Sequence, residues 1–269
     1  MKKRTYIINT LALLIILGLA SCDKEGDKVV PNILALKPFQ MSGFVIGDTL
    51  EQYFDNQKVR ELYGRNITYS NFLFDKDVME MEFRSKRSGK VVHTQQFNIK
   101  NDSAIVPNFY YDGKQFSGTY DYPAVEGTKF LVNFYADLPA DAAPMDIVIE
   151  AEEIIYDYST PPYMFTINSY TIPLVQNINP REWTEYIEIK LSGIEKTDPE
   201  SQIQAYVFMK KSGSDEYYCN NSRNFSYIGV QMPGEYTTQG LVASWYLGYT
   251  DQNSNISIEP QINLVDIFR

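Results

Sequence analysis

Two pairs of carboxylates have the spacing that puts both members on one face of a strand: Glu80 with Glu82, and Glu150 with Glu152. Residues i and i+2 of a strand stand roughly 7 Å apart, within the range at which paired carboxylates cleave glycosidic bonds. That chemistry also needs an apolar wall to keep one acid protonated, and neither flanking segment supplies one. The spacing equally describes the solvated strand face of an acidic chain, so no catalytic residue is assigned and the chain reads as a non-enzyme. The single histidine, His93, lies in the alternating run 90–97, with no nucleophile elbow beside it. One histidine and two cysteines, Cys22 and Cys219, cannot assemble the usual zinc ligand sets. The segment 251–255 (DQNSN) opens like a calcium loop. Ile256, however, stands where glycine is needed, and Ile262 where a bidentate glutamate belongs. No metal or cofactor is expected.

Aromatic residues offer a different chemistry. They make up 14% of the chain, with 21 Tyr, 15 Phe and 2 Trp. Several are clustered, as in Phe109-Tyr110-Tyr111, Tyr120-Asp121-Tyr122, Tyr156-Asp157-Tyr158 and Tyr163-Met164-Phe165. A flat ring stacks on the apolar face of a sugar while neighbouring amides and carboxylates take the hydroxyls, a concave site with few polar groups. Tyr and Phe also favour strands for packing reasons alone, so most clusters read as core or sheet surface. Trp183, Trp245 and Tyr163 are the candidate ligand-binding residues. Trp183 follows the loop-like approach Asn179-Pro180-Arg181-Glu182, whereas Trp245 lies mid-strand.

The elements that would position these rings are mostly strands. Met79, Met81 and Phe83 alternate with Glu80, Glu82 and Arg84; Ile187, Ile189 and Leu191 repeat the pattern, as do Ile203, Ala205, Val207 and Met209. Period-two alternation marks half-buried strands of antiparallel sheets. Segments 130–135 and 146–149 are more continuously apolar, as in a sandwich core. Turn dipeptides such as Ser88-Gly89, Asp112-Gly113 and Pro233-Gly234 separate the runs. The expected fold is all-β, with tandem antiparallel β-sandwich domains of immunoglobulin-like or jelly-roll type. The adjacent prolines of 157–163 (DYSTPPY) mark a junction, giving an N-terminal domain at 38–158 and a C-terminal domain at 159–269. One stretch breaks the pattern: in 48–62, Leu50, Tyr53 and Phe54 have helical spacing, with Asp48 or Thr49 as a cap. The same stretch also reads as a strand running into a turn at Asp55-Asn56.

The first residues carry a targeting signal. Lys2, Lys3 and Arg4 precede an apolar run from Tyr6 to Leu19, then Leu19-Ala20-Ser21-Cys22. This is the layout of a secretory signal peptide over 1–21, too short for the roughly 20 apolar residues that cross a bilayer. The small residues before Cys22 resemble a bacterial lipobox, which implies lipidation of the Cys22 sulfur and a membrane partner through that anchor. Residues 22–37 then form an acidic tether, and Asp23-Lys24-Glu25-Gly26-Asp27 resembles the export signal of Bacteroidota surface lipoproteins. Asp48-Thr49-Leu50 and Asp102-Ser103-Ala104 match the Bacteroidota O-glycosylation pattern, making Thr49 and Ser103 candidate attachment points. With aromatic-rich β-domains, these features resemble the surface lipoproteins of glycan-uptake systems, SusE/SusF-like in class and composition. The resemblance implies an outer-membrane address facing the cell exterior.

The formal net charge is −10, and Lys2, Lys3 and Arg4 leave with the signal, so the mature chain carries −13. Such a body is repelled by phosphate backbones, which excludes nucleic acid as a partner. Cys219 has no second thiol to pair with once Cys22 is lipidated, and reads as a buried structural cysteine. The functional expectation is a non-catalytic surface lipoprotein that binds glycans or glycoproteins. The alternative is a structural, adhesion or pilus-anchor lipoprotein with a protein partner.

Overall fold

The computed structural model describes residues 33–159, 161–191, 194–233, 238–252 and 255–269. The signal peptide, Cys22 and most of the acidic tether lie outside them, as do Asn253 and Ser254 of the calcium-like run. The described residues are 57% strand and 2% helix, so the chain is all-β with sandwich-like packing of several sheets. No helix among them is long and apolar enough to cross a membrane.

The strands in chain order are β1 (Ala35–Phe54), β2 (Gln57–Phe74), β3 (Val78–Ser85), β4 (Val91–Asn98), β5 (Ala104–Tyr111), β6 (Phe116–Ser117), β7 (Phe130–Ala136) and β8 (Met145–Tyr156). There follow β9 (Met164–Ile178), β10 (Ile187–Glu188), β11 (Gln202–Lys211), β12 (Tyr227–Ile228), β13 (Leu241–Leu247), β14 (Thr250–Gln252), β15 (Asn255–Ser257) and β16 (Gln261–Asn263). Among the described residues there is one short helix, α1 (Leu264–Phe268), capped by the Asn263 side chain. Their sheets run β4-β3-β1-β5-β6 with β2 beside β1, β10-β7-β13-β16, β12-β11-β8-β9, and the hairpin β14-β15.

The helical reading of 48–62 is corrected. This stretch is the end of β1, a two-residue turn at Asp55-Asn56, and the start of β2. Both turn residues have positive φ, 47° and 66°, the primed-turn geometry whose twist matches paired strands. Leu50 and Gln52 are fully buried and alternate with half-buried Glu51 and Tyr53, so period two prevails.

By contacts the chain forms two compact units. The first comprises 33–42, 50–61 and 66–106 of the described residues; the second comprises 43–49, 62–65 and 107–269. The proline segment 157–163, where the sequence places a junction, joins β8 to its antiparallel partner β9 inside the second unit. In the first unit, Phe39, Phe54, Phe72 and Phe97 pack ring against ring at 4.7–6.3 Å. Met79, Met81 and Phe83 are buried, as the alternation of β3 predicts. Gln52 is buried beside them: its Nε2 donates to the Met81 Sδ at 3.1 Å, and its Oε1 accepts from the Arg60 Nε at 2.6 Å.

In the second unit, β7 and β13 are covered on both faces, and they pair in parallel, Leu241 opposite Phe130 through Leu247 opposite Ala136. Phe130, Val132, Phe134 and Ala136 join Met145, Ile147, Ile149, Val207 and Met209 in the main core. The other face of β7 and β13 turns Tyr135 and Tyr246 toward Phe44, Ile46 and Leu264 in a second cluster. Cys219 is fully buried in the main core, and burial pushes its thiol up to about 11, which keeps it protonated and unreactive.

Candidate functional site

Trp183 is placed by the segment that follows β9. Asn177 and Arg181 take positive φ, 55° and 60°, and Pro180 ends strand pairing between them. The chain then runs along the edge of β7: the Arg181 N–H donates to the Ala136 carbonyl at 2.8 Å, and the Thr184 N–H to the Phe134 carbonyl at 2.9 Å. The Phe134 N–H returns to the Thr184 Oγ1 at 3.0 Å. Between these anchors Trp183 bridges to Tyr135. Its half-buried ring rests on Tyr135 at 5.3 Å and Tyr120 at 6.1 Å. The indole N–H is buried beside the Tyr110 hydroxyl. Burial drives that phenol's pKa far up, and the indole N–H partly opposes the shift.

A surface cleft of about 290 Å³ includes Trp183 in its lining, with Gln176, Asn177, Asn179, Glu182, Thr184 and Glu185 contributing polar groups. A second cleft of about 310 Å³ shares Gln176 and includes Thr171, Pro173, Lys210 and Asp215. Asp146 pins the wall between them. Its Oδ1 accepts from the Asn177 N–H at 2.7 Å and the Ser212 Oγ at 2.9 Å, and its Oδ2 from the Gly213 N–H at 3.0 Å. Burial opposes ionisation, but these donors outweigh it and hold the Asp146 carboxyl below its ordinary value.

The Glu150/Glu152 pair stands on the sheet face next to the second cleft. The Tyr217 hydroxyl lies 2.9 Å from both carboxylate oxygens of Glu150 and shares its one proton between them, and Glu150 pairs with Lys210 and Arg223, both at 3.1 Å. Burial raises its pKa, yet the Lys210, Tyr217 and Arg223 contacts prevail and lower it. A carboxylate so saturated stays ionised and is unfit as a general acid. Glu82 is likewise bound to Arg84.

The other sequence-derived candidates do not join the Trp183 cleft. Trp245 lies in β13 opposite Phe134, half-buried against the main core, with its indole N–H buried. Tyr163 is exposed on the β8–β9 connection, where its carbonyl accepts from the Asp157 N–H at 3.0 Å. The cleft lies at the other end of β9, 15 residues long, which corresponds to roughly 50 Å of extended chain. Thr49 is half-buried within β1, and Ser103 is half-buried just before β5. Sequence reasoning missed Gln176 and Asp146 altogether. The contacts that give Asp146 its role come from residues 31 to 67 positions away, and no local pattern announces them.

Fold and cleft thus define an all-β protein with a surface cleft that Trp183 helps to line. No family model and no curated protein matches the chain. Among solved structures, it is similar to a crystal structure of a candidate adhesin from Bacteroides ovatus, with a TM-score of 0.25 and 7% identity over 86% of this chain and 93% of that one. Similarity at that level carries no argument about function.

Proposed function

We propose that this chain is a lipid-anchored surface protein that binds glycans without cleaving them, and that Trp183 is the stacking residue. The observation that carries the reading is the cleft itself. The Trp183 ring is held by Tyr135 and Tyr120, and Trp183 lines the cleft together with the amides of Gln176 and Asn179 and the carboxylates of Glu182 and Glu185. A ring held before the ligand arrives loses little side-chain freedom on binding. Amide and carboxylate groups around it match the hydroxyls of a sugar. The lipid on Cys22 and the acidic residues after it would place many copies on one membrane, so that weak single sites act together on a polymer.

The test is a glycan-array screen of the mature chain bearing Cys22→Ser, with Trp183→Ala and Gln176→Ala/Asn179→Ala alongside. The double variant changes only exposed side chains, so it reports on the site even where Trp183→Ala disturbs packing. Binding lost in both variants, with circular dichroism unchanged in the double variant, supports the reading. Binding that ignores both variants overturns it.

A second reading rests on a different observation. Around the β8–β9 connection, Tyr158, Tyr163, Met164, Phe165 and Ile167 are 41–79% exposed, and β9 is the outer strand of its sheet. Exposed apolar side chains on an edge strand suit a protein partner. Capture of one outer-membrane protein, lost on Phe165→Asp, would favour the adhesion or anchoring role.

A further inference from the structure

We infer that the Trp183 cleft selects glycans that carry no carboxylate or sulfate, with Glu182 and Glu185 as the residues that set this selectivity. The inference rests on the glycan reading and refines it. The residues lining the cleft include two carboxylates and no Lys, Arg or His. Glu182 is engaged only by the Asn179 amide, at 3.4 Å, and Glu185 has no hydrogen-bond or ion-pair partner among the described residues. Both are therefore available as acceptors for sugar hydroxyls, in charge-assisted bonds stronger than neutral ones.

Two cations near the clefts each face a carboxylate outside the Trp183 cleft lining. Arg181 turns its Nε to the Asp137 Oδ1 at 3.2 Å. Lys210, whose side chain is 9% exposed, sits 3.1 Å from Glu150 and over the Tyr217 ring. An anionic sugar in the cleft would thus meet two carboxylates and a lining without Lys, Arg or His. At about 6 Å in a water-like dielectric, each carboxylate weakens an anionic ligand roughly threefold, so the pair weakens it about tenfold. Salt screens the repulsion, and near 1 M the screening length falls to about 3 Å.

The experiment uses the mature chain bearing Cys22→Ser and three polymer pairs: hydroxyethyl against carboxymethyl cellulose, dextran against dextran sulfate, and methyl-esterified against de-esterified polygalacturonan. Affinity electrophoresis at low salt is expected to show at least one neutral polymer bound and its anionic counterpart about tenfold weaker. In Glu182→Gln/Glu185→Gln neutral binding should weaken, because glutamine accepts a hydroxyl without the charge assistance, while the gap between neutral and anionic polymer, which is the readout, shrinks to about threefold or less. An anionic polymer bound as tightly as its neutral partner overturns the inference and leaves glycan binding standing. So does a gap that the double variant leaves unchanged. A chain that binds none of the six polymers overturns both.

Discussion

Replacing Asp146 by alanine should cost both stability and affinity, because one carboxylate holds the wall that the two clefts share. Asp146 is 8% exposed and accepts three hydrogen bonds, from the Asn177 N–H, the Ser212 Oγ and the Gly213 N–H. Bonds to a charged acceptor contribute about 1.5–3 kcal/mol each when buried. Asn177 and Gly213 are exposed, so water replaces part of what is lost. Counting about 1 kcal/mol per bond gives roughly 3 kcal/mol in all. For a domain of this size that lowers Tm by roughly 6–12 °C. Freed from Asp146, the turn at Asn177 must be ordered when ligand binds. Fixing one residue costs about 1–2 kcal/mol, so affinity for a bound neutral glycan should fall about tenfold. Differential scanning fluorimetry and isothermal titration of Asp146→Ala measure the two effects, with Asp215→Ala as a control on the rim of the second cleft. A Tm drop within about 1 °C of the control, with affinity unchanged, would refute the claim that Asp146 holds the wall.

Three further outcomes follow from the same geometry. Glu150→Ala strips Lys210 of its carboxylate in a position where the lysine side chain is only 9% exposed. It should cost about 3 kcal/mol, against under about 0.5 for Glu152→Ala, and Glu150→Met/Lys210→Met should recover much of the loss in urea denaturation. Glu153 is held down to about 2 by the Ser201 hydroxyl, the Asn168 amide and the Asp198 and Thr197 donors. Its folded value lies below the unfolded one near 4.5, so its contribution is complete above that value and is lost as pH falls toward 2. Acid titration of Glu153→Gln should therefore show a shallower loss of stability across that window than the parent. Gly113 has φ +88°, and a Cβ there would lie 2.8 Å from the Gly47 carbonyl carbon, whereas Gly127 at φ +68° has nothing within 4 Å. Gly113→Ala should cost about 2–4 kcal/mol, and Gly127→Ala about 1–2; equal Tm shifts would show that the close approach of the two glycine backbones is not what Gly113 provides.

Period two was legible wherever one face is buried and the other wet. Met79, Met81 and Phe83 announce β3 without ambiguity, whereas in β11 Phe208 and Lys210 are buried along with Val207 and Met209, so the alternation there does not separate a wet face. The segment 48–62 misled because Leu50, Tyr53 and Phe54 satisfy a helical spacing, while the deciding feature is the left-handed pair Asp55-Asn56. The parallel pairing of β7 with β13 joins residues more than a hundred positions apart, and both strands are apolar but for the buried Asn133 and Ser244 because both faces are covered. Periodicity has nothing to report there. Trp183 could be singled out because a proline and a run of polar residues lead into it. The rest of the cleft could not, since Gln176 and Asn177 matter only through where Asp146 holds the chain. Of the aromatic clusters, Phe109-Tyr110-Tyr111 proved largely interior, Tyr120 and Tyr122 are half-buried, and Tyr156, Tyr158, Tyr163 and Phe165 are exposed.

The most direct test of the central claim uses the two tryptophans of the chain. With Trp245→Phe, Trp183 is the sole indole, and its fluorescence reports on the cleft. Titrating the three neutral polymers into that variant should give, for at least one, a saturable change in Trp183 emission with the same midpoint as binding measured by calorimetry. A neutral polymer that binds by calorimetry while Trp183 emission stays constant would contradict the account, because the sugar would then be held elsewhere on the protein.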